Sequence, residues 1–221
     1  MFAKVSPVAS WGRGRVLKAG WRAARFAALA VVLALAGCNT IENSLSQNDV
    51  AAMKLAAVTV SFAPEAHVQW EDGIRAYATS KAIPDDEIAT RTNTPEGKAY
   101  TQNMLAPKIK AGLEQKVAPQ LQGSRPVRLE VVVKSFVLAG AVQRVLVGGG
   151  RGMVADANLV DARTGAVIVA YPAMTAVMYA GQGIVGTAVQ AAVDASSAQS
   201  PAEKLVGAYG DMYCRWLLRT A

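Results

Sequence analysis

Eight residues near the middle of the chain, Val127-Arg-Leu-Glu-Val-Val-Val-Lys134, constrain the fold most. Val127, Leu129, Val131 and Val133 point one way and Arg128, Glu130 and Lys134 the other, the two-residue period of a strand with one apolar and one wet face. A sheet of such strands needs cover on one side only, which antiparallel architectures with helices on a single face provide.

The remaining patterns fit that frame. Val58, Val60 and Phe62 alternate as a first strand that Pro64 is expected to end, and a polar stretch follows through Pro84-Asp85-Asp86-Glu87. Thr94-Pro95-Glu96 reads as a helix start, with Thr94 capping free backbone N–H groups and Pro95 at the first helical position. Leu105, Ile109, Leu113 and Val117 then recur every four residues; Pro107 predicts a kink or restart, and Pro119 with Gly123 ends the element.

After the glycine-rich break Gly148 to Gly152, Met153 to Val160 and Ala166 to Tyr171 form a hairpin around Asp161-Ala-Arg-Thr-Gly165, where Gly165 supplies a positive φ. Ser200-Pro-Ala-Glu203 is a capping box, and Leu205, Val206, Tyr209, Met212, Tyr213, Trp216 and Leu217 form the apolar stripe of a last helix. The expected class is α+β, a mainly antiparallel sheet with amphipathic helices packed on one face.

Charge is distributed unevenly. The formal charge of +7 arises largely from six bases, Lys4, Arg13, Arg15, Lys18, Arg22 and Arg25, in a segment with no acid. The 17 bases beyond it nearly balance 16 acids, so a nucleic-acid-binding face is not implied. The bases lead into an uncharged run, Phe26 to Leu35, too short to cross a bilayer and of the length of a signal-peptide core.

Leu35-Ala36-Gly37-Cys38 closes that run and resembles the lipobox of bacterial lipoproteins. The resemblance implies cleavage ahead of Cys38, diacylglycerol on its thiol and a membrane anchor without a span. It divides the chain into a signal peptide (1–37), a lipidated tether (38–50) and one periplasmic domain (51–221). Gram-negative lipoproteins retained in the inner membrane commonly carry Asp after the cysteine; Asn39 stands here, so the expected destination is the outer membrane, facing the periplasm.

Several motifs invite chemistry and fall short of it. Gly181-Gln-Gly183-Ile-Val-Gly186 spells a dinucleotide fingerprint but leaves no room for a second half-sheet, and close backbone packing is the expected use of these glycines. Gly148 to Gly152 lacks the lysine and hydroxyl of a phosphate loop and reads as a bulge or mobile turn. His67 is the sole histidine and has no nameable zinc or triad partners. Trp70 reads as an anchor on the core, and Asp85-Asp86-Glu87 as a solvated acidic turn without calcium-loop spacing.

Cys214, on the flank of the last helix, is expected to be an inert thiol, with an intermolecular disulfide as the alternative. Asp211 and Arg215 are spaced for an i,i+4 pair. Between Ala166 and Val193 there is no charge, and beyond the hairpin strand a packed small-residue helix is expected.

No catalytic, cofactor or metal residue emerges. The expected role is a non-enzymatic envelope protein, held on a membrane by Cys38 and binding a protein or envelope component. The alternative is an oligomeric part of a secretion or transport assembly.

Overall fold

The computed structural model describes residues 41–140, 150–178 and 183–220. The lipobox, Cys38, Asn39 and the glycines Gly148, Gly149 and Gly181 lie outside these residues. Contacts divide the chain into Met1–Glu42 and a folded unit, Asn43–Ala221.

The unit opens with helix α1 (Gln47–Ala52), started by a reciprocal capping box between Ser46 and Asp49. Strand β1 (Met53–Trp70) follows, then helices α2 (Glu71–Ser80), α3 (Ile88–Arg91) and α4 (Pro95–Val117). Strands β2 (Arg125–Leu138), β3 (Arg151–Asp161) and β4 (Val167–Met178) precede helices α5 (Gly183–Ala195) and α6 (Pro201–Leu218). The sheet order is β1-β2-β3-β4. β1 and β2 are parallel, their crossover carrying α2 to α4, and the other two pairs are antiparallel.

This is the expected mainly antiparallel α+β fold, and its core explains the pattern. Val127, Leu129, Val131 and Val133 of β2 are all buried, as are Met153, Ala155, Ala157 and Leu159 of β3. Over them lie Leu105, Ile109, Leu113 and Val117 of α4 and Leu205, Tyr209, Tyr213 and Leu217 of α6. On the opposite face Arg128, Glu130 and Lys134 are half-exposed, and Lys134 pairs with Asp156 across β2 and β3 at 2.7 Å. Helices α4 and α6 approach closely at Gly112 and Gly210: a Cβ on Gly112 would stand 2.7 Å from Val206 Cγ1, and one on Gly210 would stand 2.9 Å from Lys116 Cβ.

Three strands run further than their alternation suggests, and each passes through a shift in register. β1 continues beyond Pro64; pairing with β2 skips from Phe62 to His67, which lets an edge strand carry a residue without an N–H. β2 slips after Val133, so burial passes from odd positions to Phe136 and Leu138. β4 runs past Pro172, where Ala173 adopts φ +50° and donates its N–H to Asp156 Oδ1 at 2.7 Å.

Other expectations need correction. The polar stretch after β1 contains α2, which buries Gly73, Tyr77 and Ala78. α4 is a single 23-residue helix with Pro107 inside it, so no restart occurs. The folded unit begins before the expected Ala51: Asn43 and Val50 are buried, and Leu45 packs against the core. Over 188–195, α5 is a surface helix in which only Gln190 and Asp194 are partly covered.

Candidate functional site

Strand register gives the unit two ends. Met53 pairs with Arg125, Val127 with Asp161 and Val160 with Val167 at the near end, where the chain enters through Asn43. Trp70 pairs with Leu138, Leu138 with Arg151 and Arg151 with Met178 at the far end.

A cleft of about 1230 Å³ opens at the far end, between the last residues of β1 and helices α2, α3 and α4. Where β1 passes into α2, Trp70 is 3% exposed: its indole Nε1 donates to Asp72 Oδ2 at 3.2 Å, and Gly73 packs so tightly that a Cβ there would stand 2.6 Å from the Trp70 ring. Thr94 caps α4 by accepting from Gly97 N at 3.1 Å, as the sequence implies. The buried hydroxyls of Thr92 and Thr101 donate to the Ile88 and Gly97 carbonyls at 2.7 and 2.9 Å, so the floor's donors are spent within the helices.

The walls carry Glu65, His67, Gln69, Glu71, Arg75, Asp85 and Lys98, with Val68, Ile74, Ile88 and Leu138 between them. Arg75 is engaged by Glu71 at 2.9 Å. His67 is exposed. The acidic stretch Asp85–Glu87 forms an exposed 3-10 turn at one rim. Among the described residues no cluster of His, Cys, Asp and Glu is arranged to hold a metal ion. Charges of both signs thus alternate with apolar side chains along the cleft.

Arg151, the basic residue of the glycine break, is 2% exposed. Its guanidinium bonds Asp194 through both Nη atoms, so the anion it holds is a carboxylate of its own chain. Asp194 also accepts from Gln190 Nε2 at 3.2 Å and Lys204 Nζ at 3.3 Å. The Arg151 bond, against the opposing effect of burial, and then the Gln190 and Lys204 bonds hold this carboxyl down at about 2. The network ties α5 to β3 and α6.

Cys214 is half-buried and donates to the Lys116 carbonyl at 3.6 Å. Burial, followed by the nearby Asp211 charge, pushes its thiol up to about 11, which suppresses the nucleophilic thiolate. Asp211 does not pair along its own helix with Arg215; it reaches Lys116 of α4 at 2.9 Å.

At the near end Asn43 acts as a clamp. Its Nδ2 donates to the Leu217 carbonyl at 2.7 Å and to the Trp216 carbonyl at 3.3 Å, the latter shared with Arg219 N at the C-terminus of α6. Its Oδ1 accepts from Leu45 N at 3.0 Å, and its own carbonyl accepts from Arg219, a residue turned to φ 54°. Beside the clamp is a hollow of about 260 Å³ lined by Leu45, Val50, Leu217 and Leu218 among others. Nothing in the sequence marks Asn43, because the carbonyls it serves lie at the other end of the chain.

No protein-family model and no curated protein matches the chain. A solved structure that it resembles is the crystal structure of a "putative lipoprotein from Caulobacter crescentus CB15". The TM-score is 0.29 and the identity 17%, over 51% of this chain and 79% of that one. No helix among the described residues is long and apolar enough to cross a membrane.

Proposed function

We propose that the chain is a lipid-anchored, non-enzymatic protein of the bacterial cell envelope. Its domain binds a protein or another envelope component on the periplasmic side of a membrane. The observation that carries this reading is the basic segment and ten-residue apolar run leading into Leu35-Ala36-Gly37-Cys38. Asn39 favours the outer membrane as its destination. The far-end cleft supports a binding role, because its mixed walls suit a polar partner better than they suit nucleophilic chemistry.

The intact mass of the N-terminal peptide from membrane-extracted protein tests the anchor. An acylated Cys38 at the N-terminus is expected, and a peptide that continues upstream with an unmodified Cys38 would overturn it. Cys38→Ala is expected to leave a folded domain that no longer fractionates with membranes; retained cleavage and attachment count against the reading.

An oligomeric role in an envelope secretion or transport assembly is the second reading. Among the described residues the large exposed hydrophobics, Val167, Val177, Val189 and Val193, all lie in β4 and α5. Light scattering on detergent-extracted protein decides it, and a monomer across the accessible concentrations would sink it.

A further inference from the structure

We infer that the near end of the domain, formed by Asn43, helix α1, the Gly165 hairpin and the C-terminus of α6, rests on the lipid headgroups of the membrane that holds Cys38. The far-end cleft then faces away from that membrane. This inference rests on acylation of Cys38. Its own support is the length of chain between the anchor and the first fixed residue.

Asn43 stands five residues beyond Cys38. Five residues reach about 18 Å even when fully extended, at ~3.6 Å each. The thioether of an acylated cysteine sits at the base of the headgroup layer, which occupies roughly 5–7 Å of each leaflet. The clearance left above the lipid is therefore about one helix diameter, ~10–12 Å. A longer tether would let the whole domain turn over; this one holds Asn43 within that clearance of the lipid.

The start of the domain is also not free to peel away and lengthen the tether. Asn43 is bonded through its side chain to Leu217 and Trp216 and through its carbonyl to Arg219, while Leu45 and Val50 pack behind it. The clamp sits at the C-terminus of α6, an 18-residue helix whose first turn lies at the far end beside Asp194. Such a helix spans ~27 Å, so the far end stands well clear of the headgroups.

Charge at the near end is mixed and falls short of a polybasic patch. It carries the exposed bases Lys54, Arg163 and Arg219 and the exposed acid Asp49, and Arg125 is paired with Asp161 at 3.1 Å. The contact is consequently set by tether length and should persist at high salt, unlike a polybasic attachment.

The test uses the acylated full-length protein, extracted from membranes and reconstituted into phosphatidylethanolamine and phosphatidylglycerol vesicles containing nitroxide-headgroup lipid. A fluorophore is placed on Thr164→Cys at the near end or Ser196→Cys at the far end, each in a Cys214→Ala background. The near-end label is expected to lose most of its emission and the far-end label to keep it, at low and high salt alike. A Gly/Ser spacer of about 20 residues between Thr40 and Ile41 adds roughly 25 Å of root-mean-square reach and should abolish the difference.

Equal quenching at both positions without the spacer, or an unchanged difference with it, would overturn the inference. Peptide mass separates the two failures. Equal quenching with an acylated Cys38 removes the orientation and leaves the lipoprotein reading standing, whereas an unmodified Cys38 removes both.

Discussion

Helix α5 is the more apolar of the two C-terminal helices, with Asp194 as its sole charged residue, yet Val189 and Val193 are 59% and 51% exposed. Helix α6 carries Glu203, Lys204, Asp211 and Arg215 and nevertheless buries Leu205, Val206, Tyr209, Tyr213 and Leu217 almost completely. The difference lies in segregation. The apolar residues of α6 are large and confined to one stripe, so a single orientation buries them all and leaves the charges in water. Over 188–195 the valines of α5 stand in water, and what is held there is its charge, by the bonds of Asp194 to Arg151 and Lys204. Apolar composition is thus a poor guide to burial when it has no direction.

The greatest expected loss follows from cutting the ionic seat. Asp194→Ala leaves the buried Arg151 guanidinium uncompensated and should cost about 3–5 kcal/mol in urea unfolding. The double replacement Arg151→Met with Asp194→Leu should recover much of that loss, since both charges are then gone. If Asp194→Ala proved neutral, α5 would be seated by something other than its charge.

In α6 the corresponding damage is a cavity. Leu205→Ala should cost about 3 kcal/mol, because the residue is fully buried between α4 and the sheet and the site cannot collapse freely. The loss should hold as pH falls from 3.8 towards about 2, the window in which the loss in the α5 variant shrinks.

Acid sharpens the distinction. The folded-state pKa of Asp194 is lowered from 3.8 to about 2, so its contribution is complete above the unfolded value. It is lost as pH falls through that window. Urea midpoints measured down to pH 2 should therefore fall less steeply in Asp194→Ala than in the parent, although Asp161 also titrates at about 2 and contributes to both curves. The smallest effect is expected at Val189→Ser: at 59% exposure it should change stability by no more than about 0.5 kcal/mol. A large loss there would show that α5 is covered in solution by a second molecule.

What could be read from sequence is whatever is encoded within a few residues. The Ser200 capping box, the Thr94 cap, the Gly165 turn and the alternation from Val127 to Val133 are local, and each stands where the pattern put it. Strand ends were misplaced for one shared reason. β1, β2 and β4 each pass through a register shift, at Pro64, Lys134 and Pro172, and a shift inverts which positions face inward. Whether a strand resumes beyond a bulge depends on its neighbour, which the strand's own residues do not encode.

The sequence carries little sign of helix α2, because Trp70 caps it without a side-chain bond and only Ile74, Tyr77 and Ala78 have the helical spacing. The cleft was invisible for the same reason as the partner of Asp211: its walls come from β1 and three helices, brought together by tertiary packing. The expected anchor at Cys38 is the opposite case, a reading made from consecutive residues that lie outside those the structure describes.

The clamp at Asn43 has a consequence for the order in which the fold can be completed. Its bond to Leu217 joins residues 174 positions apart, so the first fixed residue of the domain waits for almost the last. A chain delivered from its N-terminus presents β1 early, but β1 pairs only with β2, after the whole α2 to α4 crossover has emerged. Closure of such distant contacts is slow compared with helix formation. The first turn of the unit is thus secured only when α6 arrives, and the fold is completed by a contact that spans almost its whole length.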